Sequence, residues 1–151
     1  MLSSALISAL HVLALAIGLP GVFLRGRALK AVAKGDLTAL PRAFAADNAR
    51  GIAAALWVVT GLLRAFGGFE KGTAYYLHHN VFWLKLGLFG LIFALELYPM
   101  VTLIKWRGQQ KKNLPLDLSK APLLARLSHA ELALTLVSPF VAAAMARGIG
   151  Y

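Results

Sequence analysis

Four long apolar runs, separated by short polar segments, make up most of the chain. They cover residues 2–24, 44–66, 75–104 and 121–146. A membrane-spanning helix needs about 20 mostly apolar residues, because about 30 Å of hydrocarbon is crossed at about 1.5 Å per residue. The runs are continuously apolar rather than alternating, which favours helices over a membrane β-barrel. The pattern predicts an all-α, integral membrane four-helix bundle, with one transmembrane domain over residues 1–151.

The first and third runs have features of their own. No basic segment precedes the first run, and it is longer than the apolar part of a signal peptide, so we expect a retained span. The third run is longer than a span needs, so we expect it to tilt or to project beyond the bilayer.

Basic residues flank the runs unevenly. Most lie around the connection after the first run and the connection after the third, whereas only Arg64, Lys71 and Arg147 lie near the opposite side. The two basic groups are Arg25, Arg27, Lys30, Lys34 and Arg42, and Lys105, Arg107, Lys111, Lys112, Lys120 and Arg126. Cytoplasmic loops carry an excess of Lys and Arg. We therefore expect both basic loops in the cytoplasm and both termini outside, in a bacterial inner membrane.

Composition supports a lipid environment. The chain has 151 residues, of which 59% are hydrophobic and 15% charged, against about 45–50% and about 25% in soluble domains. Its net charge of +10 comes from residues beside the runs, not from one soluble face, which argues against nucleic-acid binding. With no cysteine, the chain has no disulfide, zinc–thiolate site or thiol nucleophile.

Ionisable residues inside the runs point to function, because each costs roughly 2.5–3.5 kcal/mol at the centre of a span. One group is expected in the inner half of the membrane, and it includes charges of both signs. Its members are Asp47, Asn48, Arg50, Glu96, His129 and Glu131. Pairing of Arg50 with Glu96 or Glu131 would neutralise the group. It is interpreted as a network that fixes helix register, or alternatively as a proton path or an anionic-substrate site.

A second group is expected in the outer half and consists of basic and imidazole side chains. Its members are His11, Arg64, His78, His79 and Lys85. Haem suits such a group, because imidazoles from facing helices ligate iron in a bundle and Arg or Lys can pair with propionates. His11 and His78 are the predicted metal ligands. The alternative is structural: histidines at the water boundary are tolerated without a ligand, and Lys85 can extend towards the headgroups.

Helical geometry, at about 100° per residue, divides the adjacent histidines. His78, Lys85 and Glu96 share one face of a continuous third helix, and His79 points about 100° away. We therefore expect His78 to face the bundle and His79 to face away from it. In the first run, Ser4, His11, Gly18 and Arg25 recur every seven residues as one stripe, as do Arg50, Trp57 and Arg64 in the second.

Three stretches resemble a known family. They are "GLPGVFLRGRALK", "ADNARGIAAALWVVTGLLRAFGGFEKGTAYYLHHNVFWLKLGLF" and "LELYPMVTLIKWR". They are similar to a bacterial family of small membrane proteins catalogued as a domain of unknown function (series two-two-one-four). The resemblance covers nearly the whole chain and implies a four-helix membrane fold, without an established activity.

A looser resemblance concerns the positions of the histidines. His11 followed by Arg25 resembles the first span of the small bacterial protoporphyrinogen oxidase and of the copper-resistance D proteins. His78 or His79 with Lys85 resembles the third-span pattern of that oxidase, in which the His and Lys are implicated in haem b binding and activity. The resemblance implies haem b binding at these positions.

The sequence therefore predicts a multi-pass inner-membrane protein that binds b-type haem near its outer face, for electron transfer or for a small redox reaction as a membrane oxidoreductase. His11 is the expected axial ligand, with His78, His79 or Lys85 as the second, and Arg64 pairs with a propionate. Expected partners are the lipid bilayer, a quinone or another membrane redox protein, or further copies of the chain. The alternatives are a cofactor-free helper subunit and a transporter of metals or small anions.

Overall fold

The computed structural model describes residues 2–69 and 72–150, so Glu70 and Lys71 lie outside the description. The helices are α1 (Leu2–Ala33), α2 (Leu40–Phe66), α3 (Thr73–Leu77), α4 (Asn80–Lys111) and α5 (Ala121–Ala146), with single 3₁₀ turns at Leu37–Ala39 and Leu118–Lys120. By length and composition, α1, α2, α4 and α5 can each cross a membrane. The predicted all-α, four-helix membrane architecture is confirmed; the side on which the termini lie stays a prediction.

The four long helices alternate in direction. Ser4, at the start of α1, donates a hydrogen bond to the carbonyl oxygen of Phe69, just after α2 (2.7 Å). Arg25, late in α1, contacts Asp47, early in α2. α1 packs along α2 and α5, and α4 packs along α5, whereas α2 and α4 approach each other closely at few points. We call the end where α1 and α4 finish the basic end, and the opposite end the distal end.

Small residues allow α1 and α2 to pack closely. A Cβ atom added to Gly21 would lie 3.2 Å from the backbone nitrogen of Arg50 and 3.3 Å from the carbonyl oxygen of Ala46. Both neighbours are backbone atoms of α2, which have no rotamer freedom with which to move aside. Lipid gives helices no hydrophobic reason to associate, so close approach at small residues is a main source of their packing energy.

The surface of the bundle is apolar, and its interior contains polar groups. Large side chains such as Leu6, Ile52 and Phe140 are exposed, whereas Arg25 and Glu131 are fully buried. A soluble protein has the reverse distribution, because water solvates charges that lipid does not. At the basic end an apolar cluster joins all four long helices; it includes Leu29, Leu40, Leu103, Trp106 and Leu124.

The sequence predicted one continuous helix for the third apolar run, but the structure divides this run into two helices. α3 ends at Leu77, His79 has an extended backbone (φ −98°, ψ 112°), and α4 begins at Asn80. The ring of His78 donates to the carbonyl oxygen of Ala74 (2.7 Å) and so caps the end of α3. The run exceeds the roughly 20 residues that a span needs. Its surplus residues form a separate short helix.

This break corrects the predicted orientation of the two histidines. His78 and His79 precede α4 and do not continue the helix that contains Lys85 and Glu96. The prediction that His78 shares a helix face with Lys85 and Glu96 is therefore wrong. His78 is exposed, and His79 is fully buried. The burial of the two histidines is therefore the reverse of the expected one.

Candidate functional site

Arg25 is the centre of a buried charge cluster. Its side chain is fully buried, and its Nη1 lies 3.0 Å from Asp47 Oδ1. Its two terminal nitrogens also hold both oxygens of Glu96, at 2.7 and 2.8 Å, and Nη2 lies 2.6 Å from Glu131 Oε2. Its Nε donates to Ser128 Oγ at 3.1 Å. One guanidinium from α1 therefore joins carboxylates from α2, α4 and α5.

Two further arginines complete the cluster. Arg50 Nε and Nη2 lie 2.7 and 2.5 Å from Glu131 Oε1, and Arg107 Nη2 lies 2.6 Å from Asp47 Oδ2. We call the six residues the arginine–carboxylate network: Arg25, Asp47, Arg50, Glu96, Arg107 and Glu131. Three guanidiniums balance three carboxylates when all are ionised. Pairing and hydrogen bonding offset much of the cost of burying charge, and the network therefore suits the fixing of helix register.

The network differs in membership from the predicted inner group. The structure brings together Asp47, Arg50, Glu96 and Glu131, but Asn48 and His129 are exposed and take no part. The prediction that Asn48 and His129 belong to this group is therefore wrong, and helical geometry gives the reason. A neighbour one or two positions along a helix lies about 100° or 200° around it, so membrane depth alone does not place two residues together.

Arg25 and Arg107 are network residues that the sequence reasoning assigned to the edges of the basic loops. A signal for each was present. Arg107 follows Glu96 by 11 residues, which is about 20° past three full turns. Arg25 belongs to the seven-residue stripe of His11. Both arginines were interpreted only as loop charges that determine topology, so their inward positions were not predicted.

The second polar site is a cavity in the distal half, between α2 and α4. We call it the α2–α4 cavity, and its volume is about 140 Å³. All four long helices line it, and it lies where α2 and α4 make few close approaches. Its lining includes His11, Trp57, Arg64, Lys85, Phe89 and Met145. The walls are mostly apolar and aromatic, with three basic side chains among them: His11, Arg64 and Lys85.

His11 is held by Thr60 in one tautomer. Its Nδ1 lies 2.8 Å from Thr60 Oγ1. Thr60 Oγ1 also lies 2.6 Å from the carbonyl oxygen of Leu56; when its single proton is donated there, Oγ1 accepts a hydrogen bond from Nδ1–H of His11. The lone pair of a neutral His11 is then on Nε2. Metal-bound histidines are typically held in this way, by a hydrogen bond from the second ring nitrogen.

Aromatic rings surround His11 on the cavity wall. The Trp57 ring centroid lies 5.9 Å from that of His11, and Phe89 meets Trp57 edge-on at 5.7 Å. Arg64 lines the same cavity from α2, seven residues after Trp57, which is about two helical turns. Lys85 lines the cavity from α4. One imidazole, one guanidinium and one ammonium therefore converge on an apolar space from three helices.

The paired histidines do not belong to this cavity. His78 is exposed at the end of α3, and buried His79 packs against Tyr75, with ring centroids 5.4 Å apart. Neither lines the cavity with His11. The predicted ligand pair of His11 and His78 is therefore not brought together, because the break before α4 leaves His78 exposed at the end of α3.

Met145 lines the cavity from α5 and was not among the predicted site residues. Met145 lies seven residues after Ser138, which also lines the cavity. Seven residues are close to two helical turns, so this spacing was the available signal.

Comparisons with known proteins give a family and no closer relative. The family model described as predicted membrane protein (DUF2214) matches residues 3–150. No curated protein and no solved structure matches the chain.

Proposed function

Because the chain belongs to the DUF2214 family, which is described only as membrane proteins, we propose a function from the chemistry of the α2–α4 cavity: it binds a b-type haem for electron transfer in the membrane. The observation that carries the proposal is the convergence of His11, Lys85 and Arg64 on one apolar cavity. The three side chains project from three different spans: His11 from α1, Arg64 from α2 and Lys85 from α4.

The donor set suits haem. In the tautomer with Nδ1–H on Thr60, His11 would keep its lone pair on Nε2 for the iron, as metal-bound histidines do. Lys85 is the proposed second ligand, and Arg64 is suited to pair with a propionate. Trp57 and Phe89 supply the apolar, aromatic walls that a porphyrin face contacts. His78 and His79 have no part in this ligand set.

The size of the cavity sets a condition on haem. A space of about 140 Å³ is below the range of about 300–1,000 Å³ that is usual for organic ligands. Haem would therefore require α2 and α4, which make few close approaches, to separate further. His11, Lys85 and Arg64 would hold the group, which would supply one-electron transfer, and a quinone or another membrane redox protein is the proposed partner.

A lipid-soluble quinone without haem is the second candidate, and cavity size favours it. A cavity of about 150 Å³ accommodates a single six-membered ring, close to the volume observed here. Arg64 and Lys85 can each donate to a quinone carbonyl, and the gap between α2 and α4 admits the tail from the lipid.

The test is the haem absorbance per chain of single variants purified from haem-replete cells. We expect Lys85→Ala to shift the Soret band or lower haem occupancy, and His78→Ala, the matched control, to leave both unchanged. Met145→Leu examines the other ligand that the cavity offers, since iron also accepts Met. If only Met145→Leu alters the spectrum, Lys85 is not the ligand. If the wild-type protein is colourless and binds ubiquinone-1, the proposed ligand of the cavity is the quinone and not haem.

A further inference from the structure

A long apolar groove lies between α1 and α2 on the half of the bundle nearer the basic end. Its volume is about 840 Å³, within the usual range of about 300–1,000 Å³ for ligand sites. Gly21, Ala28 and Ala46 are among the small residues that line it, and they form its floor where α1 and α2 pack closely together. From Ile17 to Ala31, its α1 wall extends roughly 21 Å at about 1.5 Å per residue.

Two arginines line the groove near the basic end. Arg27 lies six residues before the end of α1, and Arg42 lies two residues after the start of α2. The Arg27 guanidinium lies 5.8 Å from the ring centroid of Phe23. Arg42 Nη2 lies 3.7 Å from Asp36 Oδ2, and both side chains are exposed. Exposed pairs of this kind contribute little, so a phosphate can compete with Asp36.

We propose that this groove binds an anionic phospholipid of the surrounding bilayer, with an acyl chain lying along the outer surface where α1 and α2 meet and the phosphate held by Arg27 and Arg42. One leaflet contributes about 15 Å of the roughly 30 Å hydrocarbon thickness. The groove is roughly 21 Å long, so it can also extend into the headgroup region. Guanidinium groups match phosphate geometry, and basic pockets between spans hold anionic headgroups. The site is separate from the α2–α4 cavity and does not depend on haem.

The test is lipid-dependent thermal stability of the full chain in mild detergent, followed by tryptophan fluorescence. Phosphatidylglycerol and phosphatidylcholine are titrated separately. We expect half-maximal stabilisation at a much lower concentration of phosphatidylglycerol. Arg27→Gln and Arg42→Gln should each weaken this response roughly fivefold. Arg126→Gln is the matched control, because Arg126 is an exposed arginine in the first turns of α5 and does not line the groove.

The groove itself is examined with Ala45→Leu, which adds bulk at an exposed alanine of its lining. We expect this change to weaken the phosphatidylglycerol response while preserving the fold. Equal responses to the two lipids in the wild type would overturn the proposal, as would an equal loss in Arg126→Gln. Dimers in native mass spectra that Ala45→Leu dissociates, with no lipid preference, would assign the groove to a second copy of the chain.

Discussion

Replacing Arg25 with methionine removes the central cation of the arginine–carboxylate network while keeping an unbranched side chain. The wild-type network balances three guanidiniums against three carboxylates. Arg25 by itself contacts all three carboxylates, which belong to Asp47, Glu96 and Glu131. The variant leaves one buried negative charge without compensation. Removing one partner of a buried pair costs about 3–5 kcal/mol. Because three carboxylates lose a partner together, we expect the upper end of that range.

A second variant separates charge balance from lost packing. Arg25→Met with Glu131→Gln removes one charge of each sign and restores neutrality, and Arg50 remains within 3.8 Å of Glu96. We expect the double variant to regain at least about 2 kcal/mol relative to Arg25→Met, as a coupled pair does in a double-mutant cycle. Arg126→Met, at an exposed site, should change stability by no more than about 0.5 kcal/mol.

The assay is reversible unfolding of the purified chain in mixed micelles, with increasing sodium dodecyl sulfate and helix content read by circular dichroism. The free energy of unfolding is compared among the wild type, the single variants Arg25→Met and Glu131→Gln, and the double variant. If the losses of the two single variants simply add in the double variant, the balanced network is the wrong account of these residues.

Three further outcomes follow from the helix contacts, the His11 tautomer and the charge bias. Gly21→Val should destabilise the bundle by more than about 1 kcal/mol, because its side chain meets the α2 backbone, whereas Gly51→Ala, with nothing within 4 Å, should be neutral or slightly stabilising in the same unfolding assay. Thr60→Val removes the acceptor of His11 Nδ1; we expect lower haem occupancy by absorbance, and unchanged occupancy would contradict the proposed orienting role. A reporter inserted at residues 112–117 should be active in the cytoplasm and one fused at the C-terminus should be active outside; the reverse pattern would refute the predicted orientation.

The number and character of the helices were predictable because lipid imposes strong local rules. A span must be apolar over about 20 residues, and a charge within it must face the interior. These rules located the four helices and indicated that Arg50, Glu96 and Glu131 face the bundle. The seven-residue stripe that includes His11 also faces inward in the structure.

Other features depend on contacts that no single helix reveals. The break at His78 and His79 arises where one run contains more residues than a span requires, and no strong breaker residue marks its position. Arg25 lies near a loop in sequence, and its burial follows only from the carboxylates of three other helices. Met145 joins the cavity because α5 packs beside α1 and α4.

The most direct test of the central claim is the haem content of the wild-type chain, purified in mild detergent from haem-replete cells and compared with His11→Ala. Haem is measured by the Soret band and the reduced–oxidised difference spectrum, and chain concentration by amino-acid analysis. We predict close to one b-type haem per wild-type chain and almost none in His11→Ala, because His11, which contacts Thr60, is the proposed axial ligand. A wild-type chain without a Soret band, or a His11→Ala variant with full haem content, would contradict the proposed site.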